Sequence, residues 1–199
     1  MSDGDIVDLE IDLGDDWHGL PLDALDPAPE RLAAELCPDD PEAAAMLARS
    51  LADVRESFLE IDDGRLTAAV HIGFPGTGLV DGALVFGLAD LVEVGSPETL
   101  ETSLLTAESA DGAQRYNAST WRERTDPGEL VGAHYLLAHP VSTDSAKLEE
   151  RVVVTVYPPG AAQVVQFVAS AQNLSAFDNL PGEIEAMART LRCRIEEAS

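Results

Sequence analysis

The sequence predicts an α+β fold: a largely antiparallel sheet of six to seven strands with helices on its faces. Three observations predict it. β-rich runs at 115–125, 129–139, 151–157 and 163–169 come in pairs, around Asp126-Pro127-Gly128 and Pro158-Pro159-Gly160, and strands joined by hairpins lie antiparallel. Apolar residues recur at helical spacing over 41–59 and again over 180–191. Period-two alternation marks two further strands near 7–13 and 66–74.

Each element follows from local chemistry. Val7, Leu9, Ile11 and Leu13 alternate with Asp8, Glu10 and Asp12, which reads as a half-buried strand with a solvated acidic face. The chain then meets DLGDDWHGLPL, where Gly14 and Gly19 bracket a turn and Pro21 stops strand pairing. Asp26-Pro27 opens a short helix carrying Leu32 and Leu36, and Pro38 ends it. Asp40-Pro41-Glu42 opens a stronger one over 41–59, with Leu47, Leu51, Val54 and Phe58 on one face. Asp63-Gly64 is a turn signal before the alternation of Leu66, Ala68, Val70, Ile72 and Phe74, which turns His71 to the other face.

GFPGTGLVDG at 73–82 has the glycines of a phosphate loop but neither its lysine nor a following amphipathic helix, so it reads as a flexible loop. Residues 83–94 form a strand with Leu84, Phe86 and Leu88 on one face, and Ser96-Pro97-Glu98 caps a short helix through Leu104. Proline at the second position of Asp126-Pro127-Gly128 disfavours a primed two-residue turn and predicts a longer hairpin loop. Leu180, Ile184, Met187 and Leu191 are the apolar stripe of a closing helix, with Asp178 read as its cap.

At 199 residues the chain suits a single domain, 1–199, with residues 1–5 disordered and 27–59 a helical elaboration. Its hydrophobic content of 45% is ordinary, so a core needs no metal or disulfide. Charge is the unusual quantity: 37 acidic against 12 basic residues, a net −25. Such a field repels DNA, RNA and anionic lipid, so nucleic acid is excluded as a partner. No apolar run approaches the roughly 20 residues that span a bilayer, which excludes membrane insertion. The acidic MSDGDIVDLE start lacks the order of a signal peptide, and two cysteines make no disulfide framework. The chain therefore reads as cytoplasmic. Its Arg- and Ala-rich composition, with Lys147 the sole lysine, fits a high-GC genome or a salt-adapted proteome.

The closing segment FVASAQNLSAFDNLPGEIEAMARTLRCR, with an early strand ending in DDWHGLPL, resembles the PsbP-like superfamily, an α/β/α sandwich. In that pattern a strand delivers the chain to an FD turn and a final helix, and Phe167, Phe177, Asp178, Leu180, Ile184 and Leu191 match it. Trp17 and Pro21 resemble the early Trp and Pro of the same pattern. The chain also resembles small acidic actinobacterial proteins, some of them serving secretion systems. These resemblances imply a bacterial binding, assembly or secretion-associated accessory module more than a catalyst.

No catalytic, metal or cofactor site emerges. Asp15, Asp16 and His18 read as solvated turn residues, with Trp17 folding back over the core as an anchor. Phe177 and Leu180 are further structural anchors. His134 and His139 lie five apart on a strand and point to opposite faces, so they cannot share a metal. No serine sits in a nucleophile elbow, and Cys37 and Cys193 read as small buried hydrophobes. One stretch, RYNASTWRERTD, interleaves Arg115, Arg122 and Arg124 with Tyr116 and Trp121. Arg and aromatic residues are enriched at interface centres, so these five are the candidate face for a protein partner. The competing reading is an ordinary strand whose arginines pair with nearby carboxylates. The leading function is non-catalytic protein binding or assembly. The alternatives are a small-molecule pocket between sheet and helices, and an enzyme using a dispersed carboxylate–histidine pair.

Self-repulsion at −25 has a direct consequence. Added salt should raise the melting temperature by screening, and an unchanged melting point between low and moderate salt would rule this out.

Overall fold

The computed structural model describes residues 4–23, 26–61, 64–106, 113–142 and 145–196. Described strands are β1 Asp5–Glu10, β2 Trp17–Leu20, β3 Leu66–His71, β4 Gly82–Asp90, β5 Gln114–Thr125, β6 Gly128–Ser142, β7 Ser145–Tyr157, β8 Gln163–Ala171 and β9 Arg192–Glu196. The helices are α1 Ala28–Leu36, α2 Pro41–Leu59, α3 Leu91–Val94, α4 Pro97–Thr106 and α5 Leu180–Arg189. Seven strands hydrogen-bond in the order β2-β3-β4-β8-β7-β6-β5, and β1 with β9 makes a separate two-stranded sheet. The α+β, largely antiparallel fold is present. The chain, read above as one domain, divides into two compact units: Asp15–Phe86, and Met1–Gly14 with Gly87–Ser199.

In the Asp15–Phe86 unit, β2 pairs antiparallel with β3, Trp17 opposite His71 and Leu20 opposite Ala68. The Trp17-His18 stretch is therefore strand, where the flanking glycines had predicted a turn. Trp17 is buried. The Asp40 side chain caps α2 by accepting from the amides of Glu42 and Ala43, with Pro41 following it, as the local sequence requires. Ala43, Leu47 and Leu51 form the buried stripe at four-residue intervals, and α2 packs on α1 and on a 3-10 turn, Pro75–Thr77. The 73–82 loop is tied down rather than free: the Asp81 carboxylate accepts from the Gly73 amide, and the Val80 amide reaches the Ser50 hydroxyl. β3 ends at His71, so Phe74 lies outside the strand and is 76% exposed. The Asp63-Gly64 turn falls partly outside the described residues.

In the second unit β5, β6, β7 and β8 pair consecutively, all antiparallel. Val152 to Val156 of β7 are all buried, which explains a run of β-branched residues with no polar alternation: both faces are covered. α5 packs on β7 and β8, while α4 packs on β5 and β6. Leu180, Ile184 and Met187 are buried as the helical stripe requires, and so is Phe177 just before them; α5 ends at Arg189, so Leu191, expected to close the stripe, is buried beyond the helix. The cap of α5 is Asn179, whose side chain accepts from the Gly182 amide, and not Asp178.

Three further expectations are corrected. The β5–β6 turn is the tight two-residue Asp126-Pro127, because Thr125 pairs directly with Gly128. Gly128 absorbs the geometry at φ 145°, and a side chain there would strike the Tyr157 carbonyl. β1 ends at Glu10, and a register shift between Ile6 and Asp8 breaks the alternation. Ile6 is consequently buried and Val7 exposed, opposite to a regular strand through Val7 and Leu9. Gly4 and Asp5, expected to be disordered, are ordered: Gly4 bridges Ala161 and Asp5 pairs with Glu196. Residues 1–3 lie outside the described residues.

Leu51 has no solvent exposure. Leu51→Asp should unfold the Asp15–Phe86 unit by burying an unpaired charge, and far-UV and near-UV melts matching the parent would refute this packing.

Candidate functional site

β5 closes the seven-stranded order, so among the described residues one of its backbone edges has no neighbouring strand. Among the described residues its main-chain groups pair only with β6. The strand is split by a bulge between Tyr116 and Ser119, where Asn117 takes φ 51°. Beyond it, Ser119 to Thr125 run in continuous register from His134 to Gly128.

Register separates the five candidate residues onto two faces. Arg115, Arg122 and Arg124 lie opposite Leu137, Val131 and Glu129, whereas Tyr116 and Trp121 lie opposite Leu136 and Gly132 on the other face. On the α4 side, the Arg115 guanidinium donates to the Leu104 and Leu105 carbonyls at the end of α4. There it neutralises the negative helix terminus and covers the Tyr135 ring at 5.4 Å. Arg122 pairs with Glu98 and, at 3.3 Å, with Glu129. The Glu98 backbone amide and the Arg122 guanidinium hold the Glu98 carboxyl below its usual range, and Glu98 raises Arg122 in turn. Arg124 has no carboxylate within 4 Å among the described residues. Arg122 thus has carboxylate partners, Arg115 has backbone carbonyls in their place, and among the described residues Arg124 has neither.

On the α5 side Trp121 lies against Gly132, where any side chain would collide with the indole. Its Nε1 is buried without a hydrogen-bond partner among the described residues. Glu123, on the same face, pairs with Arg189 of α5. Tyr116 is half-exposed and donates to the Gln114 side chain.

Where β5 ends, a cleft of about 680 Å³ opens between the α3–α4 turn and the sheet. Leu91, Val92, Pro97 and Pro159 make it apolar, and Arg124 and Asp126 stand at its polar side. Tyr157 also lines it, with a buried hydroxyl that has no partner among the described residues. Burial, with Glu129 and Glu98 adding like charge, pushes the Tyr157 phenol up to about 12. It stays a neutral donor throughout the physiological range. The sequence signal for this cleft was slight: Val92 reads as strand until α3 turns it outward to 94% exposure.

The histidines occupy separate settings. His71 is buried edge-on to Trp17, ring centroids 5.3 Å apart, with Nδ1 3.8 Å from Asp81 Oδ2. His134 lies 2.8 Å from Glu150, and His139 3.1 Å from Glu149, which also accepts from Arg151. Glu149 and Glu150 alternate across β7, so the two histidines sit on opposite faces of β6. His18 is half-buried opposite Val70 in β2. Among the described residues no three metal-ligating side chains cluster. Cys37 is buried and Cys193 half-buried, and burial pushes the Cys193 thiol up.

No family model matches the chain, and no curated protein does. Solved structures do resemble it. A crystal structure of LpqN, involved in cell envelope biogenesis of Mycobacterium tuberculosis, is 12% identical over 93% of this chain and 82% of that one, with a TM-score of 0.45. A cyanobacterial PsbP from Synechocystis sp. PCC 6803 is 10% identical over 95% and 94%, also at 0.45. The Saccharomyces cerevisiae Ran-binding protein Mog1p is 10% identical over 68% and 82%, at 0.40. At these scores the likenesses carry no part of the functional reading.

Tyr157 provides a direct check on the cleft. A phenol at about 12 in the folded state, against about 10 when unfolded, loses stability as pH rises between those values, since only the unfolded form has released its proton. In an alkaline titration Tyr157→Phe should delete a phenolate step near pH 12. Deletion of the earliest step would contradict the burial.

Proposed function

We propose that the chain is a non-catalytic protein-binding or accessory module, acting in the cytoplasm, whose docking element is strand β5. The observation carrying this reading is the open backbone edge of Ser119–Thr125 at the end of the sheet order. An extended segment can add to such an edge through main-chain hydrogen bonds, with side-chain pockets supplying specificity. Exposed edges are otherwise hazards that proteins blunt with charge. Here Arg122 and Glu123 are drawn onto the two sheet faces by Glu98 and Arg189. Half-exposed Tyr116 and uncommitted Arg124 flank this pair.

The non-catalytic half is supported by the polar pairs. The glutamates beside His134 and His139 hold them on opposite faces of β6, where they cannot act together on one substrate. The two free cysteines agree with a reducing compartment.

The test is capture from native extract followed by hydrogen exchange on the complex. A bound protein should slow exchange of the 119–125 amides, and Arg124→Glu should weaken capture about tenfold, a loss of about 1.4 kcal/mol. Protection confined to other strands would overturn the β5 assignment. A co-purifying small molecule in place of a protein would overturn the binding-module reading itself.

A further inference from the structure

The cleft and the β5 edge are one continuous feature, because Arg124 and Thr125 are both the last residues of the strand and part of the cleft wall. A segment paired along β5 would reach the cleft wall at these two residues. The cleft has the character of an anchor pocket. Its volume of about 680 Å³ falls within the range of ligand-binding cavities, ample for one large side chain. Val92 stands 94% exposed beside it, an apolar surface with nothing over it among the described residues.

The polar groups at the opening are complementary to a polypeptide backbone. Among the described residues Arg124 makes no ion pair, Glu129 opposite it being held by Arg122, and Asp126, two residues on, makes no hydrogen bond. A peptide unit supplies what both lack: a carbonyl for Arg124 and an N–H for Asp126. Long-range charge selects the partner further. A molecule at −25 attracts a basic segment and repels an acidic one, including a second copy of itself.

We infer that β5 and the adjoining cleft form a single docking track for an extended, basic polypeptide segment, which places one large apolar side chain beside Val92. This inference rests on the protein-binding reading and adds to it the register and the chemistry of the partner.

The probe is a capped heptapeptide alternating lysine with valine and carrying one central tryptophan. Its control has alanine in place of tryptophan and the same charge. The tryptophan peptide should bind at least tenfold more tightly, slow exchange at 119–125, and shift the Val92 methyl and Tyr157 ring resonances. Val92→Asp should abolish that tenfold preference without moving the melting temperature, since Val92 is exposed. Val92→Leu should retain the preference and guard against a folding artefact. If both peptides protect β5 equally, the anchor pocket is wrong while edge docking survives. If neither protects β5, both readings fail. Saturation of the cleft by N-acetyl-tryptophanamide at the peptide's own affinity, with no change at β5, would make it a small-molecule site and overturn the track.

Discussion

The second unit depends on burying β7 from both sides. Val152, Val154 and Val156 face one way, and Val153 and Thr155 the other, all of them inside. A strand of this kind cannot rest on a single hydrophobic layer, and it needs pairing partners on both edges together with cover above and below. β6 and β8 provide the edges. α5 supplies cover on β7 and β8, and α4 spreads over β5 and β6. The one buried polar side chain in the run, Thr155, accepts from Gln166 on the neighbouring strand, so the interior carries little polar cost there.

That constraint also creates the candidate site. With β7 internal and β6 beside it, β5 falls at the end of the order with one edge unpaired. α4 has to lie over β5 and β6, and its two ends then engage the strand's arginines: Arg115 at the C-terminal carbonyls, Arg122 at Glu98 in the first turn. Those contacts leave Arg124 past the end of the helix, at the cleft. The basic–aromatic pattern of β5 is therefore two patterns superimposed. The arginines serve the α4 side, and the indole packs on Gly132 on the α5 side.

How legible each part was depends on how far its signal extends along the chain. α2 and α5 were readable because several consecutive turns repeat the same apolar face, and α2 also because the capping Asp40 precedes it. β7 was readable as a strand from composition alone. β1 was misread in register because one bulged residue inverts every following side chain, and alternation in sequence cannot reveal a bulge. β2 and β9 are short, four and five residues, and owe their existence to partners distant in sequence, so no local pattern announces them. The tight β5–β6 turn defeated the proline rule because Gly128 supplies the positive φ just after it. At the site, residue types were legible and their allegiance was not. Nothing within RYNASTWRERTD says that Glu98, twenty-four residues earlier, will claim Arg122 and leave Arg124 alone.

Acidity and the site are then parts of one arrangement. Where carboxylates outnumber cations about threefold, several arginines acquire carboxylate partners, as Arg31, Arg151 and Arg189 do. Such surface pairs contribute little stability each, but they decide which cations remain available. An arginine uncommitted amid so much negative charge can donate hydrogen bonds at short range, while the field beyond the Debye length of about 8 Å stays negative. The near surface thus provides donors for a backbone carbonyl, and the far field draws positive charge. Those two requirements are met together by an extended basic chain, whose carbonyls lie along the track and whose cationic side chains project into the field around it.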